Sequence, residues 1–120
     1  MHIQFAELPV FDQDRAKMFY TQHFGCQVVA DQPMGQDGWR WIELKFANAQ
    51  TNLHFLQRKD EVPSAEPVTV LVVEDVEAIV AALHSKGVEI ITHLQPAPWQ
   101  PDRTIGEFRD SEGNRIVVGS

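Results

Sequence analysis

The chain repeats itself, and the repeat limits the folds open to it. Asp12 and Asp75 each precede a helical pattern and lie 63 positions apart; Gly25 and Gly87 each follow one and lie 62 apart. In the first copy Ala16, Phe19, Tyr20, His23 and Phe24 fall at i, i+3, i+4, i+7 and i+8, which is one face of a helix. Asp12 suits the N-cap of that helix and Gly25 its C-terminal stop. A strand-like run, "IQFAELPV", comes before it, and "CQVVAD", "WRWIELKF" and "TNLHFLQ" come after. The second copy has the same order. "VTVLVV" leads into "EDVEAIVAALHSKG", with Val76, Ile79, Val80 and Leu83 on one face, and then "VEIITH", "TIGEFRD" and "NRIVVG" follow. Pro33 and Pro96 mark the end of the first strand after each helix. The economical description is two βαβββ modules, residues 1–57 and 68–120 of a single domain. Residues 58–67, "RKDEVPSAEP", form a charged, proline-bearing linker between them. A second irregular stretch is expected at "LQPAPWQPD".

A module of about sixty residues is marginal by itself, and one helix covers only one face of a small sheet. The uncovered faces must meet something, so a concave, partly apolar pocket between the modules is the expected outcome. Composition narrows the occupant. The net charge of −7, with no cluster of basic residues, disfavours nucleic acid and favours a cationic small molecule. No run approaches the length of a membrane span, and the N-terminus lacks a signal-peptide pattern. Cys26 is the single cysteine, so no internal disulfide is possible and the cytoplasm is the expected compartment. It stands neither at a helix N-terminus nor beside a basic group that would activate it. No nucleophile elbow or phosphate loop is present.

With its tandem βαβββ order, its helices opening on Asp, its "FYTQHFGCQVV" junction and its terminal "FRDSEGNRIVV" hairpin, the chain resembles the vicinal oxygen chelate superfamily. That group contains glyoxalase I, extradiol dioxygenases, fosfomycin-resistance enzymes and bleomycin-resistance proteins. The resemblance covers essentially the whole chain. It implies an α+β fold in which the two modules form a cupped mixed sheet with helices on the outer face. In the metalloenzymes of the group, metal ligands come from the first strand and the last strand of each module. Those positions fall here on Phe5, His54, Thr69 and Val117. Only His54 is a competent ligand, so the resemblance implies that the usual metal chemistry has been lost. Short two-module members are dimers, so a homodimer is expected, with module exchange between chains open to a linker of this length.

Strand alternation sorts the remaining candidates. Glu7 shares a face with Phe5; Asn52 and Leu56 share one with His54. Ile42, Leu44 and Phe46 would lie under the helix, leaving Trp39, Trp41, Glu43 and Lys45 facing the cup. Trp39 and Trp41 then form an aromatic platform suited to a planar or cationic ligand, or else they fill the cup or a dimer interface. Trp99, in the proline-rich stretch, is placed to fold over the mouth. Glu107 and Arg109 would share a face and pair with each other, or hold a cationic group and a carboxylate; Arg103 is a second candidate for the carboxylate. His2, His23, His84 and His93 read as surface or packing residues.

Two readings stand. One is a metal-free protein that binds and sequesters an aromatic or cationic organic compound, in the manner of bleomycin-resistance proteins, with no cofactor. The other is a glyoxalase-type lyase, isomerase or dioxygenase in which a divalent metal sits on His54 with Glu7 or Glu43. A metal-free enzyme using Glu43 or Glu107 as a base is a third arrangement.

Overall fold

The computed structural model describes all 120 residues, Met1–Ser120. The chain divides into two compact units, Met1–Glu61 and Val62–Ser120. Each is an α+β unit built on the βαβββ order that the repeat predicts.

The first unit contains β1 (Phe5–Val10), α1 (Gln13–Phe24), β2 (Gln27–Pro33), β3 (Arg40–Lys45) and β4 (Asn52–Gln57). Its sheet runs β1-β4-β3-β2, with β1 and β4 parallel and the other pairs antiparallel. Helix α1 starts where the Asp12 side chain accepts a hydrogen bond from the Arg15 N–H. It stops at Gly25, whose φ of 65° is costly for any residue with a Cβ. The stripe of α1 is buried at Ala16, Phe19 and Tyr20, and the covered sheet face supplies Leu8, Val10, Ile42, Leu44, Leu53 and Phe55. Alternation therefore leaves Phe5, Glu7, Trp41, Glu43, Asn52 and His54 on the other face.

Ion pairs flank the helix. Asp31 accepts from Lys17 Nζ (2.7 Å) and Arg40 Nε (2.8 Å), and Arg40 also reaches Asp14 (2.7 Å). The bond from Arg40, and then that from Lys17, hold the Asp31 carboxyl below its ordinary range. A carboxyl with a lowered folded-state pKa adds stability above its unfolded pKa of about 3.9 and loses it as pH falls. Urea midpoints should therefore decline below about pH 4, and Asp31→Asn should make that decline shallower.

The second unit contains β5 (Pro67–Val72), α2 (Val76–Ser85), β6 (Ile90–Ala97), β7 (Gln100–Arg109) and β8 (Arg115–Gly119), in sheet order β5-β8-β7-β6. Asp75 caps α2 by accepting from the Ala78 N–H. Val76, Val80 and Leu83 of the helix are buried, as are Phe108, Ile116 and Val118 of the sheet. Gly106 allows the closest approach: a Cβ there would lie 2.6 Å from Val80 Cγ2, so the helix packs directly on strand backbone.

One expectation is corrected. "LQPAPWQPD" is not irregular, because β6 runs through Pro96 and turns at Pro98 and Trp99 directly into β7. The strand accommodates proline because β6 is the sheet edge and its pairing slips at several positions, including between Pro96 and Ala97. The linker, for its part, is bound at both ends. Arg58 N–H donates to Val10 O and Glu61 pairs with Arg15, while Ser64 N–H donates to Gly113 O.

Candidate functional site

The open face of the first sheet gathers most of the candidates. In the β1–β4 register Glu7 lies opposite His54, and in the β3–β4 register Glu43 lies opposite His54. Three strands thus place Glu7, His54 and Glu43 in one row. Their side chains do not converge. His54 Nδ1 and Glu7 Oε2 are 2.7 Å apart, whereas Glu43 Oε2 accepts from Asn52 Nδ2 at 2.5 Å. Aromatic rings cover the imidazole: the centroid of Trp41 lies 4.0 Å from that of His54 with planes tilted by 33°, and Phe5 lies 5.5 Å from His54 and 5.6 Å from Trp41. His54 is consequently only 9% exposed, while the Glu7 side chain is about half exposed.

Trp39 does not join this cluster. It precedes β3, after a turn in which Gly38 takes φ 83°, so the strand alternation does not extend to it. Its N–H donates to Asp37 Oδ1 (3.1 Å), and it lines an open groove of about 380 Å³ beside the N-terminus of α1, with Phe11, Asp12 and Gln57. The expected platform of two tryptophans is therefore one tryptophan with Phe5.

In the second unit the polar candidates have structural partners. Glu107, 7% exposed, accepts from Arg115 Nε (2.5 Å) and Nη2 (3.2 Å). Arg109 donates to Gly113 O (2.8 Å) and Ser64 O (3.0 Å) and stands 3.5 Å from Glu89. The expected Glu107–Arg109 pair is thus replaced by Glu107–Arg115. Arg115 comes from the neighbouring strand, and only the β7–β8 register, with Arg109 opposite Arg115, brings it there. Arg103 donates to Ser120 O. Trp99, 57% exposed, stands over its own sheet, where it lines a small cavity of about 60 Å³ with Val70, Val72, Arg103 and Ile105.

The family's ligand positions can now be compared with the strands. Thr69 lies opposite Ile116, in the row of Phe108 on the helix-covered face; Val70 is the residue opposite Val117 on the open face. The pairing slips between Pro67 and Thr69, which shifts the expected position by one residue. Phe5, Val70 and Val117 carry no donor atom. No group of three or more His, Cys, Asp or Glu side chains is placed to hold a metal ion. The residues present do not make the family's metal site.

Of the other reactive groups, Cys26 is buried, and burial pushes its thiol up to about 12. Iodoacetamide at pH 8 should leave the folded protein unmodified and alkylate it quickly in urea; rapid native modification would contradict the burial. The folded state holds this proton more tightly than the unfolded chain does, so alkaline pH above the ordinary thiol range acts against folding here. His23 packs against Phe19 and His84 against His93.

Each βαβββ unit pairs its first and last strands in parallel and has a helix-covered face and an open face bearing aromatic and polar residues. The chain belongs to the glyoxalase/bleomycin resistance protein/dioxygenase superfamily, whose family model matches residues 2–118. It is 32% identical to the uncharacterized protein YurT of Bacillus subtilis (strain 168), across 98% of each chain. With YetH of the same organism it shares 30% identity over 112 residues, 91% of this chain and 89% of that one. Among solved structures it is similar to TnmS3, an antibiotic binding protein from Streptomyces sp. CB03234. The identity is 32% and the TM-score 0.79, with 98% of this chain and 93% of that one covered. No helix is long and apolar enough to cross a membrane.

Proposed function

We propose that this protein binds a planar aromatic small molecule, neutral or cationic, without using a metal or other cofactor, and acts by sequestering it. The observation that carries the reading is the Phe5–Trp41–His54 cluster on the open face of the first sheet. Three of the four family ligand positions carry apolar side chains, at Phe5, Val70 and Val117, while a half-buried tryptophan offers the ring surface on which planar ligands stack. The likeness to TnmS3, described as an antibiotic binding protein, supports the same class of ligand. The net charge of −7 favours a cation. In this reading the protein works in the cytoplasm as a homodimer.

The test has two arms. Equilibrium dialysis against N-methylacridinium, a planar cation without hydrogen-bond donors, should show saturable binding at one molecule per chain. Incubation with Ni²⁺, Zn²⁺, Mn²⁺ or anaerobic Fe²⁺, followed by desalting and mass spectrometry, should leave no metal above background. Near-stoichiometric uptake that His54→Ala removes would overturn the metal-free reading.

A further inference from the structure

The aromatic cluster contains one polar group that stacking does not explain. His54 lies beneath Trp41 and Phe5, yet its two ring nitrogens have different surroundings. Nδ1 is 2.7 Å from Glu7 Oε2, whereas Nε2 has no hydrogen-bond partner in the protein and is not sealed from solvent. A carboxylate offers only acceptors, so the proton of a neutral imidazole in this pair belongs on Nδ1. Nε2 is then left with its lone pair, a hydrogen-bond acceptor at the edge of an aromatic surface. The neighbouring polar groups do not compete for it, because Asn52 and Glu43 are engaged with each other. Trp41 and Phe5 both pack against the ring, and together with the Nδ1–Glu7 contact they restrict the direction of that lone pair.

We infer that the Glu7–His54 pair is a specificity element: Glu7 sets the imidazole tautomer, and His54 Nε2 accepts a hydrogen bond from a hydroxyl or N–H on the rim of a stacked aromatic ligand. This rests on the reading above that the cluster stacks a planar molecule, and it narrows the class to aromatics with a donor at the ring edge. Glu7 is a positioning residue here, and His54 is the residue that touches the ligand. Pairing the donor selects the compound bearing it over an analogue in which that hydrogen is replaced by methyl, because the bound analogue covers the acceptor and leaves it unmatched.

The experiment compares 2-naphthol with 2-methoxynaphthalene by equilibrium dialysis on the full chain. The rings are the same, and only the first compound has a donor. The expected result is about fivefold tighter binding of 2-naphthol, the scale of one net hydrogen bond. His54→Phe should bring that ratio to about one while changing the affinity for 2-methoxynaphthalene by less than about twofold. Glu7→Gln, which offers both a donor and an acceptor to Nδ1, should lower the ratio without removing stacking. Long-range ¹⁵N NMR of the free protein should show the proton on Nδ1 in the wild type, and a mixture of tautomers in Glu7→Gln. Equal binding of both compounds, lost in Trp41→Ala, would overturn the donor assignment and leave the aromatic site standing. Failure of both compounds to bind would overturn the inference and the aromatic site together. A ratio that survives in His54→Phe would assign the discrimination to another residue and defeat the inference.

Discussion

Trp41→Ala is expected to weaken N-methylacridinium binding by about 2 kcal/mol or more, roughly thirtyfold in Kd, the cost typical of removing a central aromatic anchor. Two local facts support a value of that size. Trp41 carries the largest ring on the open face, and it packs on both His54 and Phe5, so its removal also loosens the surface that remains. The loss should not come from unfolding, because the opposite face of β3, Ile42 and Leu44, supplies the buried contacts to the helix layer. Circular dichroism and the urea midpoint of the variant check that point. His54→Ala should change the affinity for this donor-free ligand little beyond its packing effect. Dialysis in which Trp41→Ala binds as the wild type does would show that the ligand sits elsewhere, and the aromatic cluster would then be only a packing feature.

Asp110→Ala carries the largest expected effect on stability, about 3 kcal/mol. Asp110 is 6% exposed, and its carboxylate organises the β7–β8 turn. Oδ1 accepts from the backbone N–H of Glu112 (2.8 Å) and of Asn114 (2.9 Å), and Oδ2 from Asn114 Nδ2 (3.2 Å). Bonds to a charged acceptor contribute about 1.5–3 kcal/mol each, and truncation strands buried donors as well. On a chain of this size the loss corresponds to a fall in Tm of roughly 10 °C. The turn also anchors the second unit's start: at Gly113 (φ 77°) a Cβ would lie 3.2 Å from Pro63 Cα, and Gly113 O accepts from Ser64 and Arg109. Asp110→Asn keeps an acceptor for the two backbone donors and should recover about half of the loss. A thermal melt of Asp110→Ala within 2 °C of wild type would show that the backbone pairing alone holds the turn.

Much of this arrangement is legible in the sequence. The helix boundaries were local facts, written in Asp12, Gly25, Asp75 and Gly87, because capping and positive φ depend on a few neighbouring residues. The open face of the first sheet was legible for a similar reason, since alternation along β1, β3 and β4 is strict wherever the opposite face is buried. Where alternation broke, the reading failed. Trp39 lies beyond a glycine turn, Thr69 beyond a slip in pairing, and β6 continues through Pro96, which a central strand would not tolerate. Each is a place where a register or an edge, set by a distant strand, overrides the local pattern.

The repeat, the fold class and the absence of donors at Phe5 and Val117 follow from residue identity and short-range order. The partners follow from the packed strands. Glu107 pairs with Arg115 rather than Arg109, Glu43 with Asn52, and Glu7 with His54. Side-chain hydrogen bonds require atoms within about 3 Å, and which atoms come that close is settled by strand register and rotamer rather than by spacing along the chain.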